Sequence, residues 1–184
     1  NSYDFYWNTS AEKFRDKMLI EYHKFWNQNR LQKAKKINLF PNEVITLASI
    51  VQKETAKNSE RPIVAGLYLN RLQNNWPLQA DPTVIYAIRQ LKGQDYVVRR
   101  VLNADLEIIS PFNTYKNIGL PPYLIAMPDV SSIDAVLNPE KHNYFYMCAS
   151  IDKIGFHEFA KTLAQHNRNA EKYQNWVNKQ GINR

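Results

Sequence analysis

One apolar stripe in the first third of the chain limits what this sequence can fold into. From Val44 to Val51 the apolar residues recur at steps of three and four, the spacing of one buried face of an α-helix. Pro41 and Glu43 stand just before the stripe, where the first turn of a helix tolerates proline and favours negative charge. We therefore predict a buried helix that runs to about Thr55.

The next position on this stripe carries a carboxylate instead of an apolar side chain. Glu54 follows Val51 by three residues and Leu47 by seven, so it lies on the same helix face. A glutamate at this point ordinarily marks where a helix reaches water. In a cleft, however, desolvation favours the protonated carboxyl and suits it to donate a proton near neutral pH. Both interpretations are open from this pattern alone.

The composition is that of an ordinary globular chain with a basic surface. The 184 residues are 44% hydrophobic, and no apolar run approaches the roughly 20 residues that a membrane span needs. The 24 Lys and Arg against 17 Asp and Glu give a net charge of +7, which suits nucleic acid, an anionic membrane surface or an acidic cell-wall polymer. Because the chain begins with Asn1, we expect a longer gene product with any anchor or export signal outside this sequence.

The remaining pattern predicts a mostly helical α+β fold, with one domain over residues 39–184 and a helical N-terminal extension over residues 1–38. Between residues 111 and 139 lie five of the nine prolines, which indicates a long, ordered loop system of the kind that usually carries function. Helices are expected over 11–36 (capped by Thr9 or Ser10), 63–72, from Asp81 onward, 131–137 and 159–179. Strands are expected over 96–98 and 143–149, and a partner strand or a turn over 155–159.

Several kinds of site are disfavoured. The four histidines are scattered and Cys148 lies in a strand-like apolar run, so we predict no metal ion, no cofactor and no cysteine nucleophile. The five glycines form no Gly-rich phosphate loop. Nucleic-acid binding is a non-enzymatic alternative because of the charge, 11 tyrosines and 4 tryptophans, although no recognised nucleic-acid module is legible.

The polar and aromatic residues that remain suit the binding of a sugar polymer. Aromatic faces for sugar rings are available at Trp76, Tyr86, Tyr115 and Tyr123. Hydrogen bonds to hydroxyl and acetamide groups are available from Gln79, Asn113 and Thr114. Each of these residues has an ordinary structural explanation when taken singly. Together with Glu54 they resemble a polysaccharide cleft.

Six strings in order along the chain resemble the YceG-like family of endolytic murein transglycosylases. They are Leu47–Thr55 (LASIVQKET), Ser59-Glu60-Arg61, Asn70-Arg71-Leu72, Leu78–Tyr86 (LQADPTVIY), Asn113-Thr114-Tyr115 and Gly119-Leu120-Pro121-Pro122. His157 and His166-Asn167 also fit the C-terminal part of the family. Two positions depart from it: many members carry glutamate at the position of Gln52, and often Gly-Pro follows the position of Pro122.

This resemblance implies a lysozyme-like cleft in which the catalytic acid ends a helix, and it assigns that acid to Glu54. The implied substrate-binding residues are Gln79, Asp81, Thr83, Tyr86, Asn113, Thr114 and Tyr115. We expect Asp81 to cap its helix and to order the Gln79 loop. If Asp81 instead lies close to Glu54 across the cleft, hydrolysis becomes plausible, because ordinary glycosidases use two carboxyl groups.

The resemblance also implies a substrate, partners and a location. The substrate is the glycan strand of peptidoglycan, cleaved at its MurNAc-β-1,4-GlcNAc bonds to leave 1,6-anhydro-MurNAc ends. Peptidoglycan synthases are the expected protein partners, and no nucleic acid is expected. The location is the periplasmic side of the bacterial cytoplasmic membrane, reached through a single-pass anchor and a LysM-like part outside this sequence. A non-catalytic murein-binding module is the alternative.

Overall fold

Seven helices and one two-stranded sheet make up the part of the chain that the computed structural model describes, residues 2–98 and 100–180. The helices are α1 (Ala11–Phe25), α2 (Gln28–Lys36), α3 (Pro41–Glu54), α4 (Arg61–Gln73), α5 (Asp81–Lys92), α6 (Val130–Leu137) and α7 (Leu163–Lys179), and the strands are β1 (Tyr146–Ala149) and β2 (His157–Ala160). The predicted α+β class is confirmed. The chain divides into two compact units, Asn1–Pro41 and Asn42–Arg184.

The first unit holds two helices where the sequence predicts one. Ser10 caps α1 as expected, because its Oγ accepts a hydrogen bond from the backbone N–H of Lys13 at 3.3 Å. Asn27 then begins α2 in the same way, with its side-chain oxygen 3.1 Å from the backbone nitrogen of Arg30. An asparagine at this position competes with the helix by satisfying free N–H groups of a new first turn. The prediction of one continuous helix is therefore wrong.

The second unit is built around α3, which is buried on most of its circumference. Val44, Leu47, Ile50 and Val51 are fully buried. Burying each such side chain contributes about 1.5–3 kcal/mol. Ser49 is also fully buried, and its hydroxyl donates to the Thr46 carbonyl at 2.7 Å and accepts from the Ile125 N–H at 3.0 Å. The helix thus ends in the interior with its buried polar groups satisfied.

Helix α4 packs closely against the segment that leads into β1. Gly66 allows this close packing, since a Cβ placed there would lie 2.8 Å from Nε2 of His142. One turn later, the Asn70 amide donates hydrogen bonds to the carbonyls of His142 at 2.9 Å and Tyr144 at 3.0 Å. Through these contacts, α4 fixes the position of the segment just before β1.

A long irregular segment connects α5 to α6, and its described residues, 93–98 and 100–129, contain one 3₁₀ turn (Asp105–Glu107). Its organiser is the buried Asn113, whose amide donates to the carbonyls of Leu106 and Ile108, each at 2.8 Å. The strand predicted over 96–98 is wrong. That run has no neighbouring strand within the described residues, and Val97 is 71% exposed.

The sheet is a short antiparallel pair on which α7 packs. Tyr146 pairs with Ala160 and Ala149 with His157, and α7 contacts both strands. Thr162 caps α7, with its hydroxyl 3.2 Å from the backbone nitrogen of Gln165. The two C-terminal strands and the final helix are confirmed, with shorter bounds than predicted. None of the helices in the described ranges is both long and apolar enough to cross a membrane.

Candidate active site

Glu54 is the last residue of α3 and is half-buried. Its Oε2 accepts a hydrogen bond of 2.9 Å from the hydroxyl of Tyr68, a buried residue of α4. Burial raises the pKa of the Glu54 carboxyl, and the charge of Asp81 adds to this, whereas the Tyr68 hydrogen bond and the charges of His157 and Arg71 oppose it. The net shift is upward, so Glu54 keeps its proton at a pH where an exposed glutamate has lost it.

Tyr68 is a site residue that the sequence assigns only to the core. Burial raises the pKa of its phenol well above the ordinary value, and the neighbouring Glu54 charge acts in the same direction. The hydroxyl therefore stays protonated and donates to Glu54 across the physiological range. A contact between residues 14 positions apart on two helices depends on how α3 packs against α4, which helix periodicity does not encode.

Arg71 lies one turn after Tyr68 and fixes two segments that border the site. Its Nε donates to the Phe145 carbonyl at 2.8 Å and its Nη1 donates to the Leu78 carbonyl at 2.5 Å. The guanidinium is nearly buried, and its charge lowers the pKa of Glu54. Arg71 thus ties the start of the sheet and the segment before α5 to the helix that carries Tyr68.

Asp81 is held by Tyr115 and does not cap α5. The Tyr115 hydroxyl donates to Oδ1 of Asp81 at 2.6 Å, while the N-cap of α5 is Ala80 and has no side-chain capping bond. The prediction that Asp81 caps its helix is therefore wrong. Burial and then the bond to Asp81 raise the pKa of Tyr115, so this hydroxyl remains a donor. The charge of Asp81 also contributes to the raised pKa of Glu54, so the two carboxyl groups lie within electrostatic reach of each other.

Three predicted substrate contacts are buried and bonded within the chain. The Thr114 hydroxyl accepts from the Ala80 N–H at 3.0 Å and lies 2.9 Å from the Thr83 hydroxyl. The Asn113 amide nitrogen donates to two loop carbonyls, and its Oδ1 accepts a hydrogen bond from the Tyr115 N–H at 3.0 Å. These hydrogen bonds hold the segments that carry Tyr115 and Asp81. Substrate contact by Thr83, Asn113 and Thr114 stays a prediction.

Gln79 and Tyr86 lie in different surroundings. Gln79 is exposed, has a φ of 48°, and donates its backbone N–H to the Thr114 carbonyl at 3.1 Å, two residues before Asp81. The Tyr86 ring instead packs on Phe112, with ring centroids 4.7 Å apart, and Phe112 packs at the same distance on Tyr123. Substrate contact by Gln79 or Tyr86 stays a prediction.

Gln52, at the position where many family members carry glutamate, bonds to the loop system and not to Glu54. The Gln52 carbonyl oxygen accepts from the Asp129 N–H at 2.5 Å and from the Ser132 hydroxyl at 3.1 Å, and its amide donates to the Met127 carbonyl at 3.3 Å. Gln52 thus fixes the end of the loop system at the start of α6. This departure leaves Glu54 and its partners untouched.

A second carboxyl group, Glu60, is fully buried, follows Glu54 by six residues and binds His157 at the start of β2. Its Oε1 accepts the His157 backbone N–H at 2.6 Å, and its Oε2 lies 2.9 Å from the imidazole Nδ1. From the sequence, both residues are recognised only as members of family motifs, with no role assigned.

Among the described residues, no group of three His, Cys, Asp or Glu side chains is arranged to hold a metal ion. The arrangement suits acid–base chemistry at Glu54.

Two known proteins are similar to this chain in sequence. The endolytic murein transglycosylase of Bacillus subtilis (strain 168) is 39% identical over 157 residues, which cover 85% of this chain and 41% of the relative. The enzyme of the same name from Streptococcus pneumoniae serotype 2 (strain D39) is 33% identical over 168 residues, which cover 91% of this chain and 30% of the relative. The chain therefore spans less than half the length of these curated relatives.

A solved structure and a family model agree with these relatives. The crystal structure of a yceG-like protein from Listeria monocytogenes superposes with a TM-score of 0.73 at 36% identity and covers 90% of this chain and 52% of that one. The model of the YceG-like family matches residues 1–172, so it includes the two N-terminal helices as well as the motifs from Leu47 onward. The chain belongs to the YceG-like family.

Proposed function

We propose that this chain carries the catalytic site of an endolytic murein transglycosylase. It cleaves the β-1,4 bond between MurNAc and GlcNAc inside a glycan strand and leaves a 1,6-anhydro-MurNAc end. The observation that carries the proposal is Glu54, a half-buried carboxyl with a raised pKa that is held by Tyr68. Relatives named for this activity, 33–39% identical over 85–91% of this chain, support the assignment.

The reaction needs one carboxyl that acts first as an acid and then as a base. Protonated Glu54 gives its proton to the glycosidic oxygen as the bond from MurNAc C1 to that oxygen breaks, and GlcNAc leaves with a free 4-hydroxyl. The Glu54 carboxylate then takes the proton of the MurNAc C6 hydroxyl while O6 bonds to C1. No water is consumed, and Glu54 ends the cycle protonated.

The neighbouring groups have supporting roles in this cycle. Tyr68 keeps the Glu54 carboxyl in one orientation. The Asp81 carboxylate, fixed by Tyr115, supplies negative charge near the position where positive charge develops on the sugar ring, an arrangement that stabilises an oxocarbenium-like transition state. The loop network around Asn113 holds Tyr115 for this purpose.

Hydrolysis is the second candidate, because a second carboxyl group, Asp81, lies within electrostatic reach of Glu54. In that case Asp81 acts as nucleophile or as base for a water molecule, and the product carries a reducing end. Mass spectrometry of glycan strands digested by the wild-type domain separates the two, because an anhydro end is lighter by one water. We expect anhydro ends. Reducing ends alone contradict the transglycosylase assignment.

The substrate also explains the charge of the chain. Peptide stems of murein carry carboxylates, so a net charge of +7 favours association with this polymer. A cell-envelope location agrees with the relatives, which are named for action on murein. Partnership with peptidoglycan synthases, the periplasmic side and a membrane anchor outside this sequence are proposed from the family resemblance alone.

A further inference from the structure

A pocket beside the C-terminal half of α7 takes no part in the reaction scheme above. Its volume is about 570 Å³, within the range of roughly 300–1,000 Å³ that ligand pockets occupy. It is lined by the last two turns of α7, by the turn between β1 and β2, and by Arg100 of the irregular segment between α5 and α6. All of these residues lie in the second unit, as Glu54 does.

Part of the lining is apolar and open to solvent. The rings of Tyr173 and Trp176 stack with their centroids 6.1 Å apart, and both residues are half-buried. Ile154, in the turn between the strands, is 82% exposed, although isoleucine is among the residues most often buried. The amides of Gln174 and Asn178 also line the pocket. Exposed apolar surface with polar groups around it commonly marks a binding site.

Arg100 is the one charged residue among the described residues that line the pocket. It is exposed, and no carboxylate of residues 2–98 and 100–180 forms an ion pair with it. A guanidinium presents a planar fork of N–H donors that matches the geometry of a carboxylate. The pocket therefore suits a ligand that combines a carboxylate with an apolar body, whereas an uncharged sugar makes no use of the Arg100 charge.

Strand β1 connects this pocket to the surroundings of Glu54. The Phe145 carbonyl, directly before β1, accepts the hydrogen bond from Arg71, and Ala149 at the other end of β1 lines the pocket. The four residues of strand between them rise about 13 Å. An extended peptide of four residues spans at most about 14 Å. A short peptide carried by a sugar bound near Arg71 is therefore long enough to reach the pocket.

We propose that this pocket binds the peptide stem of murein, with the terminal carboxylate of the stem at Arg100 and its apolar part against Tyr173 and Trp176. The inference rests on the proposed function, because it adds a second contact to the strand that Glu54 cleaves. The stem does not change in the reaction, so this contact holds the substrate and the transition state equally. It therefore lowers KM for strands that carry stems and leaves kcat unchanged.

The test compares the cleavage of glycan strands that carry stems with that of the same strands after an amidase has removed the stems. Arg100→Gln removes the proposed partner of the carboxylate. Arg168→Gln is the matched control, because it removes the same charge from an exposed position of α7 outside the pocket lining. In parallel, NMR of the Trp176 indole N–H follows the binding of the free stem peptide and of the same peptide with its C-terminal carboxylate converted to an amide.

We expect Arg100→Gln to raise KM about fivefold for strands with stems and to leave kcat unchanged. Neither value should change for strands without stems, and Arg168→Gln should match wild type on both substrates. The free stem peptide should shift the Trp176 signal of wild type, and its amide form should bind about fivefold more weakly. Trp176→Ala should also raise KM only for strands with stems, because it removes the apolar contact.

An equal rise of KM on both substrates in Arg100→Gln overturns the inference, because Arg100 then serves the sugar chain or the fold. No change on either substrate overturns it as well. Equal binding of the acid and amide forms of the peptide excludes the carboxylate contact without any substitution. A wild-type domain that cleaves neither substrate contradicts the proposed function, whereas the Trp176 signal still decides whether the pocket binds the stem. The two failures are therefore distinguishable.

Discussion

At the scale of single residues, the proton that we propose Glu54 donates comes with a cost in stability. Burial raises the pKa of Glu54 in the folded chain, so the folded state holds this proton more tightly than the unfolded state does. Stability from this difference is present below the ordinary glutamate pKa and is lost as pH rises through the folded value. At neutral pH, the half-buried carboxyl is therefore a destabilising feature that the proposed activity requires.

Glu54→Gln should remove this pH dependence. Glutamine does not ionise, and its carbonyl oxygen still accepts the Tyr68 hydroxyl. The free energy of unfolding of Glu54→Gln relative to wild type should therefore increase between about pH 3.5 and about pH 7, measured by urea denaturation. The same difference at both pH values would show that the folded chain does not perturb this carboxyl.

The sequence locates Glu54 but not the groups that control it. The apolar stripe from Val44 to Val51 places Glu54 at the inner end of a helix, and the structure puts it there. Tyr68 reaches it only through packing between two helices, which no local pattern records. Asp before Pro commonly caps a helix, which is the basis of that prediction for Asp81, but Asp81 is the first residue of α5 and its carboxylate accepts the Tyr115 hydroxyl.

At the scale of elements, the irregular segment between α5 and α6 depends on one buried amide. Asn113→Ala would leave the carbonyls of Leu106 and Ile108 without their donor, at a cost of about 1–3 kcal/mol in unfolding free energy. Murein cleavage should fall as well, because Tyr115 loses its support. Asn103→Ala, in the exposed part of the same segment, should stay within about 0.5 kcal/mol of wild type. Equal losses for the two variants would exclude Asn113 as the organiser.

The close packing of α4 gives a second prediction at this scale. A methyl group at Gly66 would meet the His142 ring and the Glu140 carbonyl, and backbone on both sides limits relaxation. Gly66→Ala should therefore lower the unfolding free energy by about 1–3 kcal/mol, although alanine favours a helix interior. Thermal and urea denaturation measure this. A stabilised variant would mean that the 140–142 segment moves away at little cost.

The helices were more predictable than the strands for a physical reason. An apolar repeat over 12 or more residues identifies a helix by itself, as for α3 and α7, whereas a short apolar run such as 96–98 forms a strand only if another strand pairs with it. The division between α1 and α2 was missed because one asparagine, Asn27, outweighs the repeat around it by capping a new helix.

At the scale of the whole molecule, the basic charge should matter for binding murein. Lys35 and Lys36 are exposed at the end of α2, so neutralising both to Gln should weaken binding to insoluble murein and reduce its salt dependence. Lys13→Gln with Lys17→Gln on α1 removes the same charge elsewhere and is the control. Co-sedimentation across salt concentrations compares the two. Normal binding by the Lys35 and Lys36 variant would argue against their involvement.

The central claim is that one carboxyl, Glu54, is the acid that cleaves glycan strands. The direct measurement is the rate of strand cleavage by wild type, by Glu54→Gln and by Glu107→Gln, which removes an exposed carboxyl of the loop. We predict that Glu54→Gln remains folded and bound to glycan strands but loses about a hundredfold or more in rate, while Glu107→Gln keeps the wild-type rate. Cleavage by Glu54→Gln at a rate close to wild type would contradict the account.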